Sequence, residues 1–179
     1  MRDEIGIEDA VPDDLEAIRA ILNWAVLETT AVFYDQPRTV AQMRDWFEER
    51  RARDLPILVA RGEDGSILGY ASYGPFRPHD GFARTVEHSI YVAPSAQGAG
   101  LGRALLDALV SRARNAGLHV MVGGLTAENK ASLALHARAG FIETGRMPEV
   151  GAKFGRWLTL VFVQKILDAE TFHDSRTEP

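Results

Sequence analysis

Gln97-Gly98-Ala99-Gly100-Leu101-Gly102-Arg103 is the stretch that decides how this chain is read. It follows a strand-like apolar run, Ser89-Ile90-Tyr91-Val92-Ala93, and leads into a helix-patterned segment over residues 104–116. Three glycines in five positions bare the backbone and open φ values closed to other residues. The result is a row of N–H donors at a helix start, where the positive end of the helix dipole attracts anions. A phosphate-bearing ligand is the expectation. A P-loop would need GxxxxGK[ST], and no Lys-Ser or Lys-Thr pair follows Gly98. A dinucleotide fingerprint would need GxGxxG, and Arg103 stands where its third glycine belongs. A tight strand-to-helix turn that binds nothing remains open on the glycines alone.

Outward from the loop, the chain alternates between helical and extended patterns. Ile5-Gly6-Ile7 reads as a short strand, and Leu15, Ile18, Ile21, Leu22 and Ala25 form a helical stripe behind Asp13 and Asp14. Thr39-Val40-Ala41-Gln42 has the capping-box form and opens a helix that buries Met43, Trp46 and Phe47. Residues 56–61 and 67–73 read as strands around an Asp64-Gly65 turn, and residues 74–83 as a surface loop. Strands are expected at 85–92, 119–125 and 157–166, with a helix at 129–139 stopped by Gly140. This order indicates an α/β or α+β fold with a mixed sheet, in one domain over residues 1–167 with a polar tail at 168–179.

Bulk properties narrow the function. A net charge of −5 argues against a broad attraction to nucleic acid, so phosphate recognition must be local, from loop amides and a cation such as Arg103. No apolar run approaches the ~18 residues of a membrane span. No long apolar stretch follows Met1-Arg2-Asp3-Glu4, so no secretory signal is expected, and a cytoplasmic location is. The absence of cysteine excludes disulfides, thiolate metal sites and any cysteine-bound acyl intermediate. His79, His88, His119, His136 and His173 show no metal-ligand spacing, so no metal is expected.

Two spaced motifs change the weight of the glycine loop. Gln97-x-x-Gly100-x-Gly102 is followed some thirty residues on by Asn129-x-x-Ser132-x-x-x-His136-x-x-x-Gly140-Phe141. Together they resemble the GNAT family of acetyl-CoA-dependent N-acetyltransferases, whose pyrophosphate loop is [QR]-x-x-G-x-[GA]. Thr85-Val86-Glu87-His88-Ser89-Ile90-Tyr91-Val92, Leu135-His136 and Gly151-x-Lys153-Phe154-Gly155-Arg156-Trp157-Leu158 resemble its phosphinothricin and methionine sulfoximine acetyltransferase branch. Members often carry Asp after that last run, where this chain has Thr159.

The resemblance implies the GNAT fold, a mixed and mostly antiparallel central sheet flanked by helices. It also implies acetyl-CoA as donor, a small amino-acid amine as acceptor, and a homodimer. Gln97, Gly98, Ala99, Gly100, Leu101, Gly102 and Arg103 would hold the pyrophosphate, and a backbone N–H near Val92, at a β-bulge, would polarise the thioester carbonyl. Asn129 and Ser132 would contact the cofactor arm, although Asn129 also reads as a plain helix N-cap.

An ammonium must lose a proton before it attacks, and Glu87, on the strand entering the loop, is the candidate base. A half-exposed strand carboxylate in a salt bridge is the competing reading. The resemblance gives His136 the role of general acid toward the departing thiolate, whereas a lone helix histidine is more often packed. His88 should face away from Glu87 and be structural. Acceptor recognition calls for Arg forks, with Arg77 first, then Arg84, Lys153 and Arg156, and Phe76 and Thr85 nearby. Phe33, Tyr34, Phe76 and Trp157 could wall the apolar part of the pocket. A peptide N-terminus as acceptor, or a non-catalytic acyl-CoA sensor, are the alternatives at this stage.

Overall fold

The computed structural model describes residues 6–168. Its elements are β1 (Gly6–Asp9), α1 (Leu15–Glu28), α2 (Val40–Ala52), β2 (Ile57–Arg61), β3 (Ile67–Pro75) and β4 (Thr85–Val92), followed by α3 (Leu101–Asn115), β5 (Val120–Thr126), α4 (Lys130–Arg138), β6 (Ile142–Lys153) and β7 (Arg156–Ile166). All seven strands join one sheet in the order β1-β2-β3-β4-β5-β7-β6. Only the β4–β5 pair is parallel, so the expected mixed, mostly antiparallel sheet is found. None of the described helices is long and apolar enough to cross a membrane.

Helices cover both faces, and each face has its own core. On one, Leu105, Leu106 and Leu109 of α3 are fully buried against Ala71, Val86, Met121 and Val161 of the strands. A fully buried leucine contributes about 1.5–3 kcal/mol by leaving water, so this stripe of α3 is a principal anchor of the fold. On the other face, Ile18, Leu22 and Val26 of α1 and Met43 and Phe47 of α2 pack on Ile57, Val59 and Tyr70. The Thr39 capping box forms as expected, with Thr39 Oγ1 accepting from the Gln42 amide and Gln42 Oε1 from the Thr39 amide.

The structure differs from the sequence reading at three places. Helix α3 starts at Leu101 rather than at residue 104, because the left-handed Gly100 (φ 88) caps it directly. The bulge expected at Val92 is absent: β3 and β4 stay in register from Gly69–Val92 to Pro75–Val86. And β6 is a strand that the sequence pattern does not show. It is a sheet-edge strand, exposed along most of its length, with two register shifts against β7 that break any period-2 alternation. Phe154 (φ 52) and Gly155 (φ 72) form its two-residue turn into β7, the left-handed pair that tight hairpins require. Residues 169–179, most of the expected tail, lie outside the described residues.

Lys153, at the end of β6, is 4% exposed, and its ammonium donates to the carbonyls of Thr29 (2.7 Å) and Val32 (2.8 Å). It clamps the loop between α1 and α2 to the far edge of the sheet. The expectation that Lys153 binds substrate is therefore corrected: the ammonium is buried, and two of its three donors are taken by carbonyls inside the protein. Lys153→Met orphans two carbonyls and should lower the unfolding free energy by about 1–3 kcal/mol in urea melts. An unchanged midpoint would contradict the clamp.

Candidate active site

The phase of β4 determines what each of its residues faces. Phe76 donates to the Thr85 carbonyl and Ala93 to the Leu68 carbonyl, so the backbone groups of odd-numbered residues 85–93 point to β3. Those of Val86, His88, Ile90 and Val92 point to β5. Pairing with β5 covers only Thr85–Val120 to His88–Gly123 and then stops. Beyond it, the Ile90 and Val92 amides face a cleft between two diverging strands.

The cleft leads to the glycine loop. Gly98 (φ 83) and Gly100 (φ 88) are left-handed, and Gly102 brings α3 against α4: a Cβ there would meet Leu135 at 3.3 Å. Arg103 and Ala104 donate to the Gly100 carbonyl, while the amides ahead of them have no intrahelical partner. The loop keeps its anion cradle, but Arg103 does not join it. Its guanidinium pairs with Asp107 (2.6 Å) and the Arg138 carbonyl (3.1 Å), turning it back along α3. Gln97 reaches the Val92 carbonyl at 3.4 Å. Asn129 is the N-cap of α4 and accepts from the Ser132 amide at 3.0 Å.

On the α1–α2 side of the sheet, Glu87, Ser89 and Tyr91 line a cavity of about 450 Å³ with Tyr70 and Ser72 of β3. Tyr34, Arg38, Trp46 and Arg50 complete much of its wall. Glu87 is half-buried. Burial raises its pKa above the usual carboxylate range, and the charge of Arg77 pulls it partly back. Its carboxylate lies over Gly124 of β5, where a Cβ would stand 3.2 Å from Oε1.

The opposite face carries the histidines. His88 is buried, its Nδ1–H donates to the Val122 carbonyl (2.7 Å), and its Nε2 meets His136 Nε2 at 2.9 Å. Because a carbonyl only accepts, His88 Nε2 is bare in the neutral ring, so only an N–H of His136 can close the Nε2–Nε2 contact. His136 Nδ1 lies 2.7 Å from the Ser132 carbonyl, which also only accepts, and 3.4 Å from the Ser132 hydroxyl, so the single hydrogen of a neutral His136 serves either that carbonyl or His88 at one time. Burial lowers both pKa values, that of His88 to about 3, where the neighbouring His136 also disfavours charge. His136 is 2% exposed.

The two expected catalytic residues are thus not brought together. Glu87 and His136 lie on opposite faces of the sheet, and the general-acid role of His136 is corrected: the ring is buried, neutral and held by His88 and Ser132. His88 is structural, as expected. Arg77 is exposed, stacks on Phe76 at 4.0 Å and bonds the Phe76 carbonyl. Arg156 pairs with Glu128 at 2.7 Å. Neither these two nor Phe76, Thr85 or Lys153 line the cavity, so of the expected acceptor ligands only Glu87 does.

Sequence reasoning missed Arg38, Arg50, Trp46, Tyr70, Ser72 and Tyr91 as cavity residues. The strand members had a signal, since the Asp64-Gly65 hairpin sets the alternation of β3. Arg50 had none, because it reads as an ordinary cation in the last turn of a helix. Among the described residues, no group of three His, Asp or Glu side chains is gathered as metal ligands.

Residues 18–141 match the acetyltransferase (GNAT) family. The chain is 52% identical over 163 residues to an L-methionine sulfoximine/L-methionine sulfone acetyltransferase of Pseudomonas paraeruginosa, covering 91% of this chain and 95% of that one. It is 50% identical over 171 residues to an L-amino acid N-acyltransferase of Escherichia coli, covering 96% and 99%. Its fold superposes on the yncA protein of Salmonella typhimurium, solved with its cofactor acetyl-CoA, with a TM-score of 0.92, 46% identity and coverage of 97% and 99%.

The histidine pair sets a pH dependence of stability. Below the unfolded pKa of about 6.5 the unfolded chain takes up protons that the folded pair refuses, so stability falls as pH drops toward about 3. Urea melts from pH 7.5 to 4.5 should show this loss, and His88→Phe should reduce its slope. Equal slopes in the two proteins would contradict a neutral pair.

Proposed function

Because this chain belongs to the GNAT acetyltransferase family, we propose that it moves the acetyl group of acetyl-CoA directly to the α-amine of a small amino acid, with Glu87 as the base. Methionine sulfone, methionine sulfoximine and phosphinothricin are the acceptors to try first. The observation that carries the reading is the position of Glu87: a half-buried carboxylate at the floor of a half-open cavity, on the strand whose next residues expose amides to the cleft. The aromatic lining, Tyr70 and Tyr91 on the sheet with Tyr34 and Trp46 above them, suits an amino-acid side chain rather than a polypeptide.

In this mechanism the glycine loop holds the pyrophosphate through its amides and the helix dipole, without help from Arg103. Ser132 and the free amide nitrogen of Asn129 border the cofactor arm. Val92 N–H donates to the thioester oxygen as negative charge develops there. The neutral amine attacks the carbonyl carbon, a C–N bond forms, and the C–S bond breaks with its electron pair leaving on sulfur. Glu87 accepts the N–H proton. A thiol of pKa near ~8.5 leaves readily as thiolate around neutral pH, so the step needs no dedicated acid. Without cysteine, a one-step ternary mechanism is the natural course.

Residues 1–167 are read as one catalytic domain in the cytoplasm, where acetyl-CoA is available. Trp157 (67% exposed) and Phe154, Val150, Met147 and Ile142 leave apolar surface on the β6–β7 edge, which supports a homodimer through that edge. Light scattering should give twice the chain mass, and Trp157→Glu should shift it toward the monomer.

The raised pKa of Glu87 places the acid limb of kcat/KM above the ordinary carboxylate range, with activity rising as the carboxyl ionises. Glu87→Gln should remove that limb and lower kcat by about 10²–10⁴-fold, with little change in the KM for acetyl-CoA. Thiol release assayed across a panel of amines tests this; an unchanged kcat would sink the assignment.

A further inference from the structure

Arg50 borders the cavity with a guanidinium that the protein leaves largely uncommitted. Its Nη1 donates to the Tyr73 carbonyl at 3.1 Å, while Nε is buried with no hydrogen-bond partner among the described residues. Glu49, the residue before it, pairs with Arg53 instead, at 3.4 Å. No ion pair to Arg50 is formed among the described residues. Burial lowers its basicity, yet a guanidinium stays charged at any physiological pH. A half-buried cation without an anion is an unfavourable arrangement that a ligand anion would relieve.

Its position says which anion. The guanidinium lies over Gly74, where a Cβ would run into Nη1. Gly74 is the cross-strand partner of Glu87, and such partners stand on the same face of the sheet about 4.5–5.5 Å apart. Glu87 leans the other way, over Gly124, so Arg50 and Glu87 flank one stretch of cavity floor. In an α-amino acid, a single carbon separates amine from carboxylate. An acceptor whose amine reaches Glu87 therefore turns its carboxylate toward the space over Gly74.

The geometry points to Arg50 as the residue that binds the α-carboxylate of the acceptor, with Gly74 kept bare to admit it. This rests on the amino-acid acetylation proposed above. Arg38, the cavity's other cation, stacks on Tyr34 at 4.2 Å, and the exposed Asp45 and Glu49 share the lining with it. Trp46, one helical turn before Arg50, has its ring centre 5.8 Å from that guanidinium and shields it from solvent on one side.

The test compares L-methionine sulfone with its carboxamide as acceptors, using the intact protein and acetyl-CoA. The readout is the ratio of kcat/KM for the acid to that for the amide. Arg50→Met should lower this ratio by about 10- to 100-fold, mainly through the KM of the acid, as expected for a charge-assisted hydrogen bond. Arg50→Lys, which keeps the charge but loses the fork, should fall in between; it carries the test if thermal melts show the Met variant unfolded. A ratio that survives both substitutions, or that collapses in Arg38→Met or Arg77→Ala while persisting in Arg50→Met, overturns the assignment. Wild-type protein that acetylates neither compound overturns the activity reading itself, and this inference with it.

Discussion

The separation of β4 from β5 is the constraint on which the rest of the site depends. Four residue pairs of parallel ladder hold the strands together, and then the hydrogen bonding ends at His88–Gly123. A strand pairs on both edges or leaves amides unsatisfied, so a break inside a sheet is stable only where something else receives those donors. Here the orphaned N–H groups of Ile90 and Val92 open toward the glycine loop. The same break lets Glu87 swing over Gly124 on one face. On the other, His88 fits beside Gly123, where any Cβ would strike its ring. Two adjacent glycines on β5 thus make room for two adjacent β4 side chains of opposite purpose.

The division of labour between the faces follows from that alternation. The α3–α4 face is apolar and buried: a histidine pair, Phe141 and leucines, with no carboxylate among the described residues bonded to either ring. Its histidines order α4 relative to β4 through their Nε2–Nε2 contact, which fixes the helix that borders the cleft. The α1–α2 face collects the groups of both signs. It holds a base, two guanidiniums and aromatic rings around one cavity, where low dielectric strengthens every charge interaction.

Much of this was legible from residue order. The glycine loop, the flanking strand and helix, the Thr39 capping box and the Asp64-Gly65 hairpin each depend on local chemistry that a sequence displays directly. Glu87 was legible because its strand and phase were. Strand β6 was not, since an exposed edge strand broken by two register shifts has no hydrophobic period to read. The placement of the cations was not, for a related reason. Arg77, Arg103, Lys153 and Arg156 look alike in a sequence, and only tertiary structure gives them partners: the Phe76 carbonyl, Asp107, Thr29 and Val32, and Glu128 respectively. Arg50, which looked like routine helix-end charge, is the cation left with a buried, unpartnered nitrogen among the described residues.

The Lys153 clamp bears on the order in which the molecule is assembled. It joins residues 124 and 121 positions apart in the chain. Contacts of such span form late, after loop closure has been driven by other packing. During synthesis, helices α1 and α2 and strand β4 emerge well before Lys153 does. The connecting segment that carries Tyr34 over the cavity, tied to α1 through Asn23 and Arg38, therefore lacks its second anchor until the C-terminal hairpin folds back across the sheet. A chain built this way acquires the strand of Glu87 early and the outer wall of its cavity last, so the carboxylate is in place before the surface that would select what reaches it.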